Sequence, residues 1–230
     1  MERIKAEIGS IIEKPFLILC EGKDAELFLI HYLNSEALQE EPRFSNDIQV
    51  FGFNGNDTLR KSLGVLLNTE GFEQVSRILV VRDAEKDPDA ASKSIQMAFR
   101  RCGLSAPTDC NVWAESTDNN IKAAYTLFPT CASEPTPGTL EDLCWQILAE
   151  DNADTVKEAI NGFLEDLKLE YDRSFPREFK ARLHTYFSIT DSYVSLKIGE
   201  AAKAGAFDWS ADALLPFREL IQEGFSGDYQ

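Results

Sequence analysis

The chain has 230 residues, of which 43% are hydrophobic and 10% aromatic, and this is enough apolar material for one large folded core. No stretch approaches the roughly 20 apolar residues that a membrane-spanning helix needs, and the charged N-terminus lacks an apolar signal core. We therefore predict a cytoplasmic protein without membrane segments. The formal net charge of −16 argues against a protein that holds nucleic acid through a basic face.

The residues that most often bind zinc are scarce. The histidines are His31 and His184, and the five cysteines form no C-x-x-C pair. These residues leave little basis for a zinc site, and we expect most of the thiols to be reduced and buried. The cysteines are Cys20, Cys102, Cys110, Cys131 and Cys144.

The first strong element is a strand followed by an acidic turn. Residues 16–20 are apolar throughout and predict a buried strand that runs into a turn containing Glu21 and Asp24. Residues 25–33 then place apolar side chains at helical spacing. Asp24 is well placed to cap this helix. Capping does not explain Glu21, whose carboxylate ends an apolar strand and is costly to bury without a partner.

A second buried strand carries more acids at its end. Residues 78–81 are four apolar residues in a row, typical of a strand that is covered on both faces of a parallel sheet. Asp83, Glu85 and Asp87 follow at alternate positions, and in an extended chain they would project to the same side. Open α/β sheets bind ligands at the carboxyl ends of their strands, and neighbouring acids there favour a divalent cation. A solvated acidic turn is the alternative.

The remaining pattern alternates strands with helices and then becomes wholly helical. Further strands are predicted at residues 48–53, 111–115 and 124–128. Helices are predicted within residues 1–13 and at 57–67, 89–102, 140–148, 155–167, 177–187, 192–204 and 211–222. Such alternation predicts crossover connections and a mainly parallel sheet. The predicted fold class is α/β, with a sheet domain flanked by helices over residues 1–130 and a C-terminal helical extension over residues 131–230.

The order of these elements resembles the Toprim domain. That domain is shared by topoisomerases, bacterial primases, OLD-family nucleases and some RNA maturases, and has a glutamate after its first strand and an Asp-x-Asp after a later one. Glu21, followed by Gly22 and Asp24, is similar to the first motif, and Asp83 matches the first aspartate of the second. Glu85 stands where the second aspartate is usual, which keeps an oxygen ligand but lengthens the side chain by one methylene.

A closer similarity is to a bacterial family of small stand-alone Toprim-like proteins of uncharacterised function. The Toprim motifs span about residues 14–130, whereas this similarity extends over most of the chain. It is carried by Phe-Pro at 128–129 and by the segment Pro-Gly-Thr-Leu-Glu-Asp-Leu at 137–143. Each motif is short, and their order and spacing together carry the resemblance.

The resemblance implies phosphodiester chemistry with Mg²⁺ or Mn²⁺. Asp83 and Glu85 would hold the metal, and Glu21 would complete the set of ligands or act as a general acid or base. Asp24 and Asp87 would support a second ion or orient the metal ligands. The implied activity is metal-dependent hydrolysis of DNA or RNA, because topoisomerases need a tyrosine on another domain and primases need further domains.

Outside the acidic motifs, a few residues are candidates for contacts with a substrate phosphate. Lys23 lies in the first acidic turn, and Arg177, Lys180 and His184 fall on one face of a predicted helix. A solvent-exposed helix face is the alternative for these four residues. Glu141 lies at the start of a predicted helix, where it either favours the helix dipole or adds a further metal ligand.

The charge balance leaves two other functions open. An acidic surface repels nucleic acid over a Debye length of about 8 Å, so a nuclease would need a bound metal ion, a basic partner or the locally positive residues 173–203. The same charge fits a non-catalytic or regulatory module that acts through a protein partner. A metal-dependent phosphohydrolase of nucleotides is the third alternative, because a small anionic substrate suffers less repulsion.

Overall fold

The computed structural model describes residues 11–40, 42–53, 59–114, 120–150 and 153–225. The described residues form a four-stranded sheet in which every pairing is parallel, with strand order β2-β1-β3-β4. The strands are β1 (Phe16–Glu21), β2 (Ile48–Phe53), β3 (Arg77–Asp83) and β4 (Lys122–Phe128). The sheet, its flanking helices and the helical C-terminal region confirm the predicted α/β fold class.

The helices follow the strands in the predicted alternation and then continue alone. They are α1 (Gly22–Leu33), α2 (Pro42–Asn46), α3 (Leu59–Leu66), α4 (Pro88–Arg101), α5 (Leu140–Gln146), α6 (Ala153–Tyr171), α7 (Glu178–Ile189), α8 (Ile198–Ala204) and α9 (Leu215–Gly224). Within the described ranges, no helix combines the length and the apolar character needed to cross a membrane.

Both faces of the sheet are buried, as the continuous apolar runs predicted. One face, which includes Ile18 and Val81, shares a hydrophobic core with α1 and the C-terminal helices. The opposite face, which includes Leu19 and Val80, shares a core with α3 and α4. The helices after β4 therefore pack directly on the sheet and complete the cover over one of its faces.

The predicted strand at residues 111–115 is wrong for the part that the structure describes. Asn111 has a left-handed backbone with φ of 63°, and Ala114 makes only an isolated antiparallel bridge with Ala123. The indole N–H of Trp113 donates a hydrogen bond to the carbonyl of Leu220 at 2.9 Å. The side chain of Trp113 thus packs against α9, whereas Val112 is exposed, and neither residue joins the sheet. Glu115 lies outside the described residues.

Several predicted helix boundaries also differ. Residues 192–197 are turns and irregular backbone with Ser195 at φ 65°, so the helix predicted at 192–204 begins only at Ile198. The helix predicted at 211–222 opens with a 3-10 turn at Asp212–Leu214 and becomes α-helical at Leu215, where Pro216 suits a first turn. Residues 11–14 are not helical, and residues 1–10 lie outside the described part of the chain. The same is true of residues 57 and 58, the predicted start of α3.

The strand order determines where a ligand can bind. After β1 the chain adds β2 on one side of it and then returns to place β3 on the other side. This reversal makes the carboxyl ends of β1 and β3 a topological switch point, where parallel sheets leave a crevice. The residues at those two ends are Glu21 and Asp83.

Candidate functional site

The ends of β1 and β3 are joined by an ion pair. Cys20 pairs with Val81 across the two strands, so the next residues, Glu21 and Arg82, lie side by side. Arg82 Nε donates to Glu21 Oε2 at 3.1 Å, and the Arg82 side chain is only 3% exposed. Because neighbouring side chains along a strand alternate between the two faces of the sheet, the Asp83 side chain leaves the strand on the face opposite to that of Arg82.

Asp83 lies at the centre of a group of carboxylates. Its Oδ1 accepts a hydrogen bond at 2.8 Å from the backbone N–H of Leu140, at the start of α5. Burial raises the pKa of Asp83 to about 7; the Leu140 hydrogen bond opposes this rise, and the nearby charges of Glu141, Glu85 and Glu21 add to it. The folded chain therefore brings four carboxyl groups close enough to repel one another.

The acids after Asp83 do not continue along one face. The prediction that Asp83, Glu85 and Asp87 share one side assumed an extended chain, and this assumption is wrong because β3 ends at Asp83. Glu85 has a left-handed backbone with φ of 56°, and its N–H and C=O both pair with Gly138 at 2.8 Å. Asp87 is the N-cap of α4 and accepts from the N–H of Ala90 at 2.9 Å. Asp87 therefore stabilises a helix end, whereas Glu85 remains near Asp83.

The first turn of α1 brings two more predicted residues to the same place. Glu21 is the N-cap of α1, which differs from the predicted cap Asp24. Asp24 Oδ1 instead accepts from the N–H of Gly199 at 3.3 Å and so ties α1 to α8. Lys23 Nζ forms an ion pair with the buried Glu26 one helical turn further on.

The C-terminal helices close the other side of the site. Glu141 is buried at the start of α5, and its Oε1 lies 2.7 Å from Lys180 Nζ on α7. Arg177 and His184, the other members of the predicted basic face, are exposed on α7. Of the three residues on that face, the structure brings only Lys180 to the acidic group.

These residues surround one cavity of about 180 Å³. Four carboxylates and three cationic side chains line it together with the backbone of Gly22 and Leu140. The charged lining residues are Glu21, Asp24, Asp83, Glu141, Lys23, Arg82 and Lys180. Six of the ten predicted site residues therefore share the cavity with Arg82, while Glu85 acts on Asp83 from its exposed turn.

The sequence pattern did not lead us to predict Arg82 as a site residue. It stands inside an apolar strand, directly before an aspartate that we predicted as a metal ligand. An arginine at the end of a buried strand is itself a signal, because a guanidinium is almost never fully buried without partners. Its Nη1 is buried and has no hydrogen-bond partner among the described residues. An unsatisfied buried donor calls for an explanation such as a water, an ion or a ligand.

The donor set can be compared with what a metal needs. In the described part of the chain, no group of three or more His, Cys, Asp or Glu side chains is arranged to hold one ion. Mg²⁺, however, typically takes one or two protein carboxylates and completes its octahedron with waters and substrate phosphates. Asp83 with Glu21 or Glu141 offers such a partial set, and the excess negative charge around Asp83 suits a divalent cation.

Comparison with known proteins adds a family but no activity. No curated protein and no solved structure matches the chain. The sequence matches the family described as Protein of unknown function (DUF3226) over residues 15–226, which is nearly its whole length, and the chain therefore belongs to that family.

Proposed function

We propose that the protein hydrolyses phosphodiester bonds of DNA or RNA with the help of Mg²⁺ or Mn²⁺, in the cavity between β1 and β3. One observation carries the proposal. The partly buried Asp83 lies among Glu21, Glu85 and Glu141 at the switch point of a parallel sheet, and cationic side chains line the same cavity. The carboxylates suit a metal ion, and the cationic side chains suit the phosphate that the ion would activate. The resemblance of the strand-end motifs to the Toprim domain agrees with this chemistry.

The chain's own residues have separate tasks in this proposal. Asp83 and Glu21 would hold the ion, which would polarise a phosphoryl oxygen and lower the pKa of its bound water. The Leu140 N–H orients the Asp83 carboxylate. Arg82 and Lys180 fix Glu21 and Glu141, respectively, through ion pairs. Glu21 is also the candidate general acid or base, because it is partly exposed at the cavity.

A cleavage panel tests the proposal directly. Purified protein is incubated with single- and double-stranded DNA and RNA in Mg²⁺ or Mn²⁺, and Asp83→Asn is compared with the wild type. We expect cleavage that needs the metal and is lost in Asp83→Asn, because the amide has the shape of the acid but not its charge. Asp89→Asn, an exposed acid on α4, is the matched control and should cleave normally. Undiminished cleavage by Asp83→Asn would overturn the assignment.

A second candidate is a non-catalytic or regulatory module that acts through a protein partner. The net charge of −16 favours it, because long-range repulsion opposes the binding of a nucleic acid. Under this candidate, the panel shows no cleavage under any condition, and the chain co-purifies with a basic protein from its own cells. The free cysteines fit a reducing compartment for either function, and we place the protein in the cytoplasm.

A further inference from the structure

We propose that Arg82 and the first turn of α1 form a binding subsite for a single phosphate group. This inference rests on the proposed function and names the part of the substrate that the cavity recognises. Three cationic side chains line the cavity, and each of them pairs with a carboxylate: Lys23 with Glu26, Lys180 with Glu141 and Arg82 with Glu21. Arg82 is the third, and it is the one whose buried Nη1 has no partner among the described residues.

The ion pair with Glu21 determines how Arg82 presents its donors. A guanidinium has five N–H donors in a rigid planar fork that matches the oxygens of a phosphate. Nε is used by Glu21 at 3.1 Å, which fixes the plane of the fork. Nη1 is held in place by the same contact and has no partner among the described residues, so an oxyanion that reaches it would satisfy its N–H groups. A lysine at this position would carry the charge but could not serve both partners in fixed directions.

The start of α1 supplies further donors beside Arg82. Helix N-termini leave their first N–H groups without intrahelical partners and carry a partial positive charge. Within the described residues, the Glu21 side chain makes no capping hydrogen bond to this turn. A Cβ added at Gly22, whose φ is 85°, would meet no atom within 4 Å, so the backbone there borders open space. Together these features form the usual anion site of a twelve-residue helix, with a buried arginine beside it.

The size of the cavity limits the ligand. Its volume of about 180 Å³ is below the roughly 300–1,000 Å³ of pockets that enclose drug-sized ligands. This space suits one phosphate with an ion and a few waters. The substrate is therefore recognised by one phosphate, carried either by a mononucleotide or by the end of a strand.

Calorimetric titration of the full chain with orthophosphate in the presence of Mg²⁺ tests this subsite. We expect one phosphate per chain in the wild type, and Arg82→Lys should weaken its affinity by about 10- to 100-fold, the value of one hydrogen bond to a charged group. Arg82→Gln should weaken it at least as much, and it replaces Arg82→Lys if that variant does not fold. Arg101→Gln, which removes an exposed arginine from the end of α4, should bind phosphate like the wild type.

The same titration with three nucleotide ligands identifies the source of the phosphate. A 5′-mononucleotide, a 5′-phosphorylated oligonucleotide and its 5′-hydroxyl counterpart are compared. Binding of the mononucleotide alone assigns a small ester, and binding of the phosphorylated oligonucleotide as well assigns a strand end. Measurable binding of both oligonucleotides with equal affinity overturns the inference, as does unchanged orthophosphate affinity in Arg82→Lys or Arg82→Gln. Phosphate binding without any cleavage would refute the proposed hydrolysis and leave the subsite standing.

Discussion

Replacing Asp83 with asparagine is expected to stabilise the metal-free protein at neutral and alkaline pH. Burial and three nearby carboxylates raise the pKa of Asp83 from its usual 3.8 to about 7 in the folded chain. A group with a raised folded-state pKa stabilises the fold most when it is protonated, below about pH 4, and that stability is lost as the pH rises to about 7. Above this range the folded protein must hold a carboxylate that its surroundings disfavour.

The shift sets the size of the effect. A difference of about 3 pKa units at about 1.36 kcal/mol per unit gives an upper limit of about 4 kcal/mol at pH 8. At about pH 5 the limit falls to about 1.6 kcal/mol, because only about 1.2 units separate that pH from the unfolded pKa. Water reaches part of this site, so the measured gains are expected to lie below these limits. The asparagine oxygen can still accept the hydrogen bond from Leu140.

Urea denaturation in EDTA over this pH range measures the effect. The stability of Asp83→Asn should exceed that of the wild type by an amount that grows from about pH 5 to about pH 7 and then levels off. Asp89→Asn should track the wild type throughout. Adding Mg²⁺ should narrow the gap, since only the wild-type carboxylate gains binding energy from the ion. A variant that is less stable than the wild type at pH 8 would show that the Asp83 charge is favoured in the fold, and would refute the reasoning.

Three further substitutions test the contacts that assemble the site. At Gly199 on α8, an added Cβ would lie 2.5 Å from the Cβ of Leu27 on α1. Gly199→Ala should therefore push the two helices apart and lower the free energy of unfolding by about 1–3 kcal/mol, measured by thermal unfolding. An unchanged unfolding transition would contradict the close packing. At Gly52 a Cβ would lie 2.6 Å from Glu26 Oε2, which is the end of a flexible side chain, so Gly52→Ala should destabilise the protein less than Gly199→Ala does in the same measurement. A larger loss of stability than in Gly199→Ala would contradict this expectation. Asp87→Ala should lower the free energy of unfolding by about 1 kcal/mol in urea denaturation, because it removes the hydrogen bond to Ala90, whereas Asp87→Asn keeps this cap. Loss of metal binding in Asp87→Asn would instead show that Asp87 is a metal ligand.

Much of the sheet could be predicted from local pattern. The continuous apolar runs that became β1, β2 and β3 are long enough to be buried on both faces, and each is bounded by residues that end a strand. The run at 111–115 also has apolar residues at its centre, yet Trp113 packs against α9 and Val112 is exposed. A local apolar pattern indicates that side chains tend to be buried, but it does not indicate which surface of the protein will bury them.

For the site, local sequence pattern is enough to predict that Glu21 and Asp83 end buried parallel strands, because an apolar run followed directly by an acid is visible without any tertiary contact. Tertiary packing alone makes β1 and β3 neighbours. It brings Leu140 and Glu141 to Asp83, and Lys180 to Glu141, from helices more than 50 residues beyond Asp83 in the chain. The same packing buries Nη1 of Arg82, which has no hydrogen-bond partner in the part of the chain that the structure describes. Hydrogen bonds and charge interactions depend on distances of a few ångströms, and those distances exist only once the helices have packed on the sheet.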